Sequence, residues 1–362
     1  MRFIKKLPDV SELTEKYPLS KNLIENRKRR IIEIEGILSG EDNRKLLLVG
    51  PCSADREDAV IDFVSRLSTV QEKLRDMFVI VPRVYTSKPR TNGSGYKGLL
   101  HNPTSNNEHD DLLAGVIATR QMHLHVIQET GMFCVDEMLY PESIYYILDL
   151  LAYVAIGARS VEDQGHRLAA SGVQIPVGMK NPTSGDLSVL FNAITAAQQA
   201  HSLIYRGWEV RTDGNPYAHA ILRGYQDISG KSQANYHYEN MLEMYDMYCK
   251  SNTKNMSVIV DCSHGNSNKH YDEQIRIAEE VFWMLVNYSD LNRLIKGIMI
   301  ESYIEDGAQL VGGGIYGKSI TDPCLGWDKT FKLLFKLHDY MSEKRKDEVL
   351  SKSIHKKERA VI

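Results

Sequence analysis

The 362-residue chain, 43% hydrophobic and 25% charged, can bury the core of one large α/β barrel or of two smaller domains. Its formal net charge of −3 and pI near 6.5 exclude a general attraction to nucleic acid, so any local cluster of cations needs a local reason. The N-terminal MRFIKKLPDV has no apolar leader core and no run approaches the ~18 apolar residues of a membrane span, so no membrane partner and a cytoplasmic location are expected.

Residues 1–40 read as an extension before the main domain. Pro8 and Pro18 punctuate a polar segment, and Ser20 is placed to cap a helix that ends near Gly40. Leu23, Ile24, Ile31, Ile34 and Leu38 share one face of that helix, while Arg27, Lys28, Arg29 and Arg30 crowd the other as a solvated or partner-facing surface. From residue 46 onward, short β-rich runs alternate with longer helical patterns, the signature of βα units around a parallel sheet. The expected strands are Leu46–Gly50, Met77–Tyr85, Met132–Glu137, Tyr153–Arg159, Pro176–Lys180, His201–Arg206, Met256–Asp261 and Lys296–Glu301. Helices are expected between them, among others over Asp110–Glu129 and Asp272–Val286. Eight such units over residues 41–341 fit a (β/α)8 TIM barrel, with a doubly wound open sheet as the runner-up. A hairpin inserted after strand six is expected at Trp208–Arg223, where Asp213-Gly214-Asn215-Pro216 separates two β-like arms. Residues 342–362 read as a charged C-terminal stretch, a frayed helix or a tail.

The informative pattern is positional. Nearly every expected strand runs into a reactive or charged residue: Cys52, Arg83 with Lys88, Glu137, Arg159, Lys180, Asp261 with His264, and Glu301. In a barrel such ends surround one mouth. Cys52, His264, Glu301 and Asp322 together offer sulfur, nitrogen and carboxylate donors that suit a divalent Mn, Fe, Co or Zn ion without selecting one. Arg83, Lys88, Arg90, Arg159, Lys180 and Arg223 form a cationic set that repels itself unless anions arrive. Arg83 lies inside an apolar run, and Pro89, Gly93 and Gly95 shape the turn that presents Arg90 and Thr91. The residues alone thus point to a metal-dependent lyase, aldolase or transferase acting on phosphorylated sugar acids.

Seven segments in order, GPCS (50–53), RVYTSKPRT (83–91), AIGARSVEDQGHR (155–167), PVGMKN (176–181), ILRG (221–224), DCSHGNSNK (261–269) and YGKSITDPCLGW (316–327), resemble class I 3-deoxy-D-arabino-heptulosonate 7-phosphate (DAHP) synthase. The extension resembles that of the feedback-regulated subgroup. This resemblance implies the first reaction of the shikimate pathway to aromatic amino acids, in which phosphoenolpyruvate, erythrose 4-phosphate and water give DAHP and phosphate with a divalent metal ion. It implies Cys52, His264, Glu301 and Asp322 as metal ligands, and Arg159, Lys180 and Arg223 with Arg83 as the phosphoenolpyruvate clamp. Lys88 is implied near the aldehyde oxygen, Arg90 and Thr91 at the erythrose phosphate, and Glu137 near the attacked carbon. It further implies a homodimer or homotetramer and a pocket for an aromatic amino acid built with the extension and the hairpin. NGSGY between Thr91 and Lys97, and the residues at Glu142–Tyr146 and Val173–Gln174, depart from the familiar pattern. Two alternatives stand beside this reading. One is a 3-deoxy-manno-octulosonate 8-phosphate synthase, against which KPRT speaks; the other is a silent or altered-substrate paralogue, against which the intact set of reactive residues speaks.

Overall fold

In the computed structural model, which describes residues 1–90, 93–103 and 111–359, with side chains through Lys344, eight parallel strands form the centre of the molecule. They are β1 (Lys45–Gly50), β2 (Phe78–Pro82), β3 (Cys134–Glu137), β4 (Leu151–Ile156), β5 (Val177–Lys180), β6 (Ala218–Leu222), β7 (Val258–Asp261) and β8 (Ile295–Glu301). Each is buried along its whole length, as apolar strands covered on both faces must be. Their order, β2-β1-β8-β7-β6-β5-β4-β3, leaves β2 and β3 at the two ends of the sheet. A parallel bridge between Arg83 and Val135 joins those ends, with the Val84 N–H donating to the Val135 carbonyl at 3.0 Å, and the sheet closes into the expected TIM barrel. The β1 ladder to β2 keeps its register through Val49 and Pro82, and the Arg83 N–H carries it one step further by donating to the Val49 carbonyl at 2.9 Å, so Pro82, which has no N–H to donate, leaves the pairing with β1 unbroken.

The sixth strand and the inserted hairpin differ from expectation. Ser202–Tyr205 does not enter the barrel; it pairs antiparallel with Trp208–Arg211 around a turn at Arg206 and Gly207. The hairpin therefore precedes β6 instead of occupying Trp208–Arg223, and Asp213–Pro216 is the link into β6. Exposure explains the difference. Ser202–Tyr205 alternates between exposed and half-buried residues, with Ile204 84% exposed, whereas Ala218–Leu222 is buried throughout. A run that keeps one face in water suits a two-stranded ribbon and not a barrel wall.

The helices around the barrel include α1 (Val10–Lys16), α2 (Lys21–Ser39), α3 (Glu57–Leu74), α4 (Leu112–Thr130), α5 (Gln164–Gly172), α6 (Leu187–Gln198), α7 (Tyr238–Lys250), α8 (Glu273–Asn287) and α9 (Trp327–Arg359). Helix α9 runs through Ser342 to Arg359, so of the two expectations for this segment, helix or tail, it is helical as far as Arg359. Ser20 caps α2 by accepting from the Leu23 N–H, and the helix buries Ile31, Ile34, Ile37 and Leu38 against the barrel end opposite the mouth. Its charged face is not simply solvated. Arg27 donates through Nε to the Leu151 carbonyl at 2.7 Å and through Nη2 to the Leu148 carbonyl at 2.8 Å, at the start of β4. Farther along the extension, the Tyr17 carbonyl accepts from fully buried Arg120 of α4, which also forms a two-pronged pair with Asp149. Residues 10–40 are thus fastened to their own barrel.

Candidate active site

Each strand delivers a reactive residue at or just beyond its C-terminal end to a single pocket. Cys52, Arg83, Lys88, Arg90, Glu137, Arg159, Lys180, Arg223, His264, Glu301 and Asp322 all line it. Thr91 lies outside the described residues. The loop after β2 is pinned back on itself, since the Lys88 N–H donates to the Lys97 carbonyl at 3.0 Å and Ser87 bridges Gly98. Gly98 has φ +92° and a Cβ there would stand 2.5 Å from the Thr86 carbonyl oxygen, so only glycine lets the chain return this closely. That return presents Lys88 to the pocket.

At one corner, ligand atoms of Cys52, Glu301 and Asp322 lie within 4.8 Å of one another. The β1–β8 register accounts for part of this, because Gly50 sits opposite Glu301 and the Gly-Pro-Cys turn follows directly. His264 joins them with Nε2 3.6 Å from Glu301 Oε1. Its other nitrogen, Nδ1, is 3.0 Å from Asp261 Oδ2, which fixes the ring and leaves Nε2 as the lone pair turned toward the cluster. Burial pushes the His264 imidazole below its ordinary value, so the ring is a neutral donor. His264 also holds φ +55°, a strained backbone for a non-glycine residue, as is found where a side chain is aimed for function. A cation already sits among the donors: Lys88 Nζ is 2.6 Å from Cys52 Sγ and 3.2 Å from Asp322 Oδ2. Burial, followed by the charge of Glu301, pushes the Cys52 thiol up to about 11 against the pull of Lys88. Burial alone would raise the Asp322 carboxyl too, yet Lys88 and Lys269 outweigh it and hold the group well below the usual carboxylate range. This mixed soft and hard donor set fits a divalent transition ion.

The rest of the pocket is cationic. Among the described residues, seven side chains of Arg and Lys line it against the three carboxylates of Glu137, Glu301 and Asp322. Arg83 is 1% exposed; Nη2 donates to Glu301 Oε1 at 3.1 Å and the guanidinium lies 4.2 Å from the Tyr85 ring centroid. Its Nε and Nη1 have no partner among the described residues. Lys180 Nζ stands 3.4 Å from Glu137 Oε2 and 3.9 Å from Asp261 Oδ2. Glu137 is buried, but Lys180, Lys88 and Arg83 outweigh that burial and hold its carboxyl below the ordinary value. Gly157, at the end of β4, makes room for it: a Cβ there would meet Glu137 Oε1 at 2.5 Å. Burial lowers the Arg223 guanidinium and Arg159 adds to the effect, although Asp261 opposes it. Lys269 completes the set and pairs with Asp322 at 3.1 Å. Nothing in the sequence pattern marks Lys269 beyond its place five residues after His264 in the same loop.

Known proteins match this chain over most of its length. The model of the DAHP synthetase I family matches residues 21–334. The Trp-sensitive phospho-2-dehydro-3-deoxyheptonate aldolase of Escherichia coli O157:H7 is 36% identical over 345 residues, covering 92% of this chain and 94% of that protein. The Tyr-sensitive phospho-2-dehydro-3-deoxyheptonate aldolase of Salmonella typhimurium is 37% identical over 318 residues, 85% of this chain and 86% of its own. Among solved structures, phospho-2-dehydro-3-deoxyheptonate aldolase from Francisella tularensis SCHU S4 superimposes with a TM-score of 0.87 at 31% identity, covering 95% of this chain and 99% of that one.

Proposed function

The chain belongs to the DAHP synthetase I family, and we propose from that premise how its barrel mouth joins phosphoenolpyruvate to erythrose 4-phosphate, with water, to give DAHP and phosphate. Arg159, Lys180 and Arg223 hold the phosphate of phosphoenolpyruvate, and Arg83 takes its carboxylate. Arg90, with Thr91, holds the phosphate of erythrose 4-phosphate. Arg83 carries the reading. A fully buried guanidinium with Nε and Nη1 unpaired among the described residues is costly, and its uncompensated charge favours an anionic group such as a carboxylate beside it in the pocket.

The chemistry follows from where charge develops. As C3 of phosphoenolpyruvate attacks the aldehyde carbon, the aldehyde oxygen gains negative charge, and Lys88 is placed to hold and protonate it. Cys52, His264, Glu301 and Asp322 would hold a divalent ion, which supplies a Lewis acid for the same oxygen when bound. C2 meanwhile becomes electron-poor, and the Glu137 carboxylate, held ionised by its cationic neighbours, stabilises it and takes a proton from the incoming water. Loss of phosphate from the resulting hemiketal phosphate leaves the ketone of DAHP. Two polyanions drawn to separate cations are thereby held in contact, which supplies much of the acceleration.

A phosphate-release assay with erythrose 4-phosphate and with a five-carbon aldose phosphate tests the function. Rapid release with the four-carbon sugar and little with the five-carbon one is expected; the reverse preference, or no release with either, overturns it.

Feedback by an aromatic amino acid is favoured by one junction. Tyr146 donates to the Pro8 carbonyl of the extension at 2.8 Å, and Arg206 of the hairpin lies 5.4 Å from its ring centroid, so both additions to the barrel meet at one residue. Phe3 and Ile4 of the extension and Ile204 and Trp208 of the hairpin remain exposed, which supports a homodimer or homotetramer through these additions. Deleting residues 1–8, which removes the Pro8 carbonyl that Tyr146 holds and leaves α1 and α2 on the barrel, should abolish inhibition and lower the oligomer size; equal inhibition of the shortened enzyme refutes the proposed role.

A further inference from the structure

Asp136 is a charged residue in the wrong layer. It precedes Glu137 on β3, and side chains alternate along a strand, so Glu137 enters the barrel mouth while Asp136 points out toward helix α4. That layer is apolar in a barrel, and Asp136 is 1% exposed. Burying a carboxylate there is costly unless it is fully hydrogen-bonded. It is. Oδ1 accepts from the Thr86 N–H at 3.0 Å and from the Glu137 N–H at 2.7 Å; Oδ2 accepts from Thr86 Oγ1 at 2.6 Å and from His123 Nε2 at 3.0 Å. His123 is wholly buried and, among the described residues, its Nδ1 has no partner, so the hydrogen bond its imidazole makes there is the one to Asp136.

We infer that Asp136, with His123 behind it, is a positioning residue that sets the loop after β2 and the end of β3 in register with each other. Thr86 stands two residues before Lys88, and Glu137 follows Asp136 directly. One carboxylate therefore ties down the backbone on which the proton donor for the aldehyde oxygen and the carboxylate beside C2 both sit. The barrel needs such a tie here because β2 and β3 are the ends of the sheet, joined by the bridge between Arg83 and Val135. The Thr86 carbonyl also accepts from the Leu100 N–H at 3.2 Å, which extends the tie to the returning limb of the loop.

The inference rests on the proposed reaction for its kinetic consequence but not for its structural one, and the test separates the two. Thr86→Val removes the hydroxyl donor at nearly constant volume, and Thr86→Ser keeps it. With an equal melting temperature, Thr86→Val should lower kcat by roughly 10- to 100-fold with the KM for phosphoenolpyruvate little changed, while Thr86→Ser stays within about threefold of wild type. In ligand-free enzyme, amide hydrogen exchange at Thr86 and Lys88 should be at least about tenfold faster in Thr86→Val than in Thr86→Ser. Asp136→Asn should show the same pattern more strongly. Wild-type kcat and exchange in Thr86→Val, or a loss in both Thr86 variants that tracks melting temperature, overturns the inference. If wild-type enzyme releases no phosphate from the two substrates, the reaction is wrong, and the exchange difference alone then decides whether the tie exists.

Discussion

The two ends of the barrel handle buried cations in opposite ways. At the closed end Lys45 donates to the Asn292 carbonyl, the Asn292 side chain and the Ile295 carbonyl at 2.7, 3.1 and 2.9 Å, and Arg27 of α2 reaches two strand-end carbonyls. Burial, with Lys296 nearby, still pulls the Lys45 amine down to about 7, so even a saturated site carries the cost of desolvation. At the mouth Arg83 is as deeply buried and keeps two donors without partners among the described residues. Lys88, Lys180 and Lys269 at the mouth do have acidic or thiol partners, so Arg83 is the mouth cation that contrasts with Lys45.

Removing the metal should give the largest effect at the mouth and none at the closed end. Chelation is expected to abolish activity without unfolding the barrel, with recovery on adding Mn or a similar divalent ion; full activity in enzyme shown by elemental analysis to be metal-free contradicts the site. Because the Cys52 thiol is pushed up to about 11, it carries a proton at neutral pH that the ion must expel. Metal affinity should therefore fall as pH falls, by about tenfold per unit from this group alone, and a pH-independent dissociation constant would rule out Cys52 as a ligand.

Smaller effects should distinguish cations within the mouth. Arg159→Ala is expected to raise the KM for phosphoenolpyruvate and Arg90→Ala that for erythrose 4-phosphate, each by roughly 10- to 100-fold from the loss of a charge-assisted contact worth about 1.5–3 kcal/mol. Interchanged effects would show the two anion sites to be assigned the wrong way round. The smallest kinetic effect belongs to the closed end. Arg27→Met should cost about 2 kcal/mol of stability by leaving the Leu148 and Leu151 carbonyls short of a donor, yet leave kcat/KM of the folded enzyme unchanged. A fall in kcat/KM with no change in melting temperature would break the contrast between the ends.

Much of this was legible because barrel strands are buried apolar runs that stop at polar residues. Glu137, Lys180, Asp261 and Glu301 each end such a run, and the structure keeps all four as strand termini. The sixth strand was misplaced because Ser202–Tyr205 has strand-like residues, and sequence does not reveal that one face of them stays in water. Arg27 could not be told from its neighbours in a run of cations, since its acceptors lie more than a hundred residues away. Long-range closure likewise hid the tie among Thr86, His123 and Asp136 and the place of Lys269 at the mouth. The roles given to individual site residues rest on motif resemblance, and the geometry adds which of them are left with unpaired donors.

Titrating phosphoenolpyruvate into metal-loaded enzyme by calorimetry tests that last point most directly. Arg83→Met should weaken binding by at least about 30-fold, because it removes the buried guanidinium charge proposed to take the carboxylate, while Arg90→Ala and Arg27→Met should stay within about threefold of wild type. Wild-type affinity in Arg83→Met, or an equal loss in Arg27→Met, would contradict the claim that unpaired cations mark the substrate site.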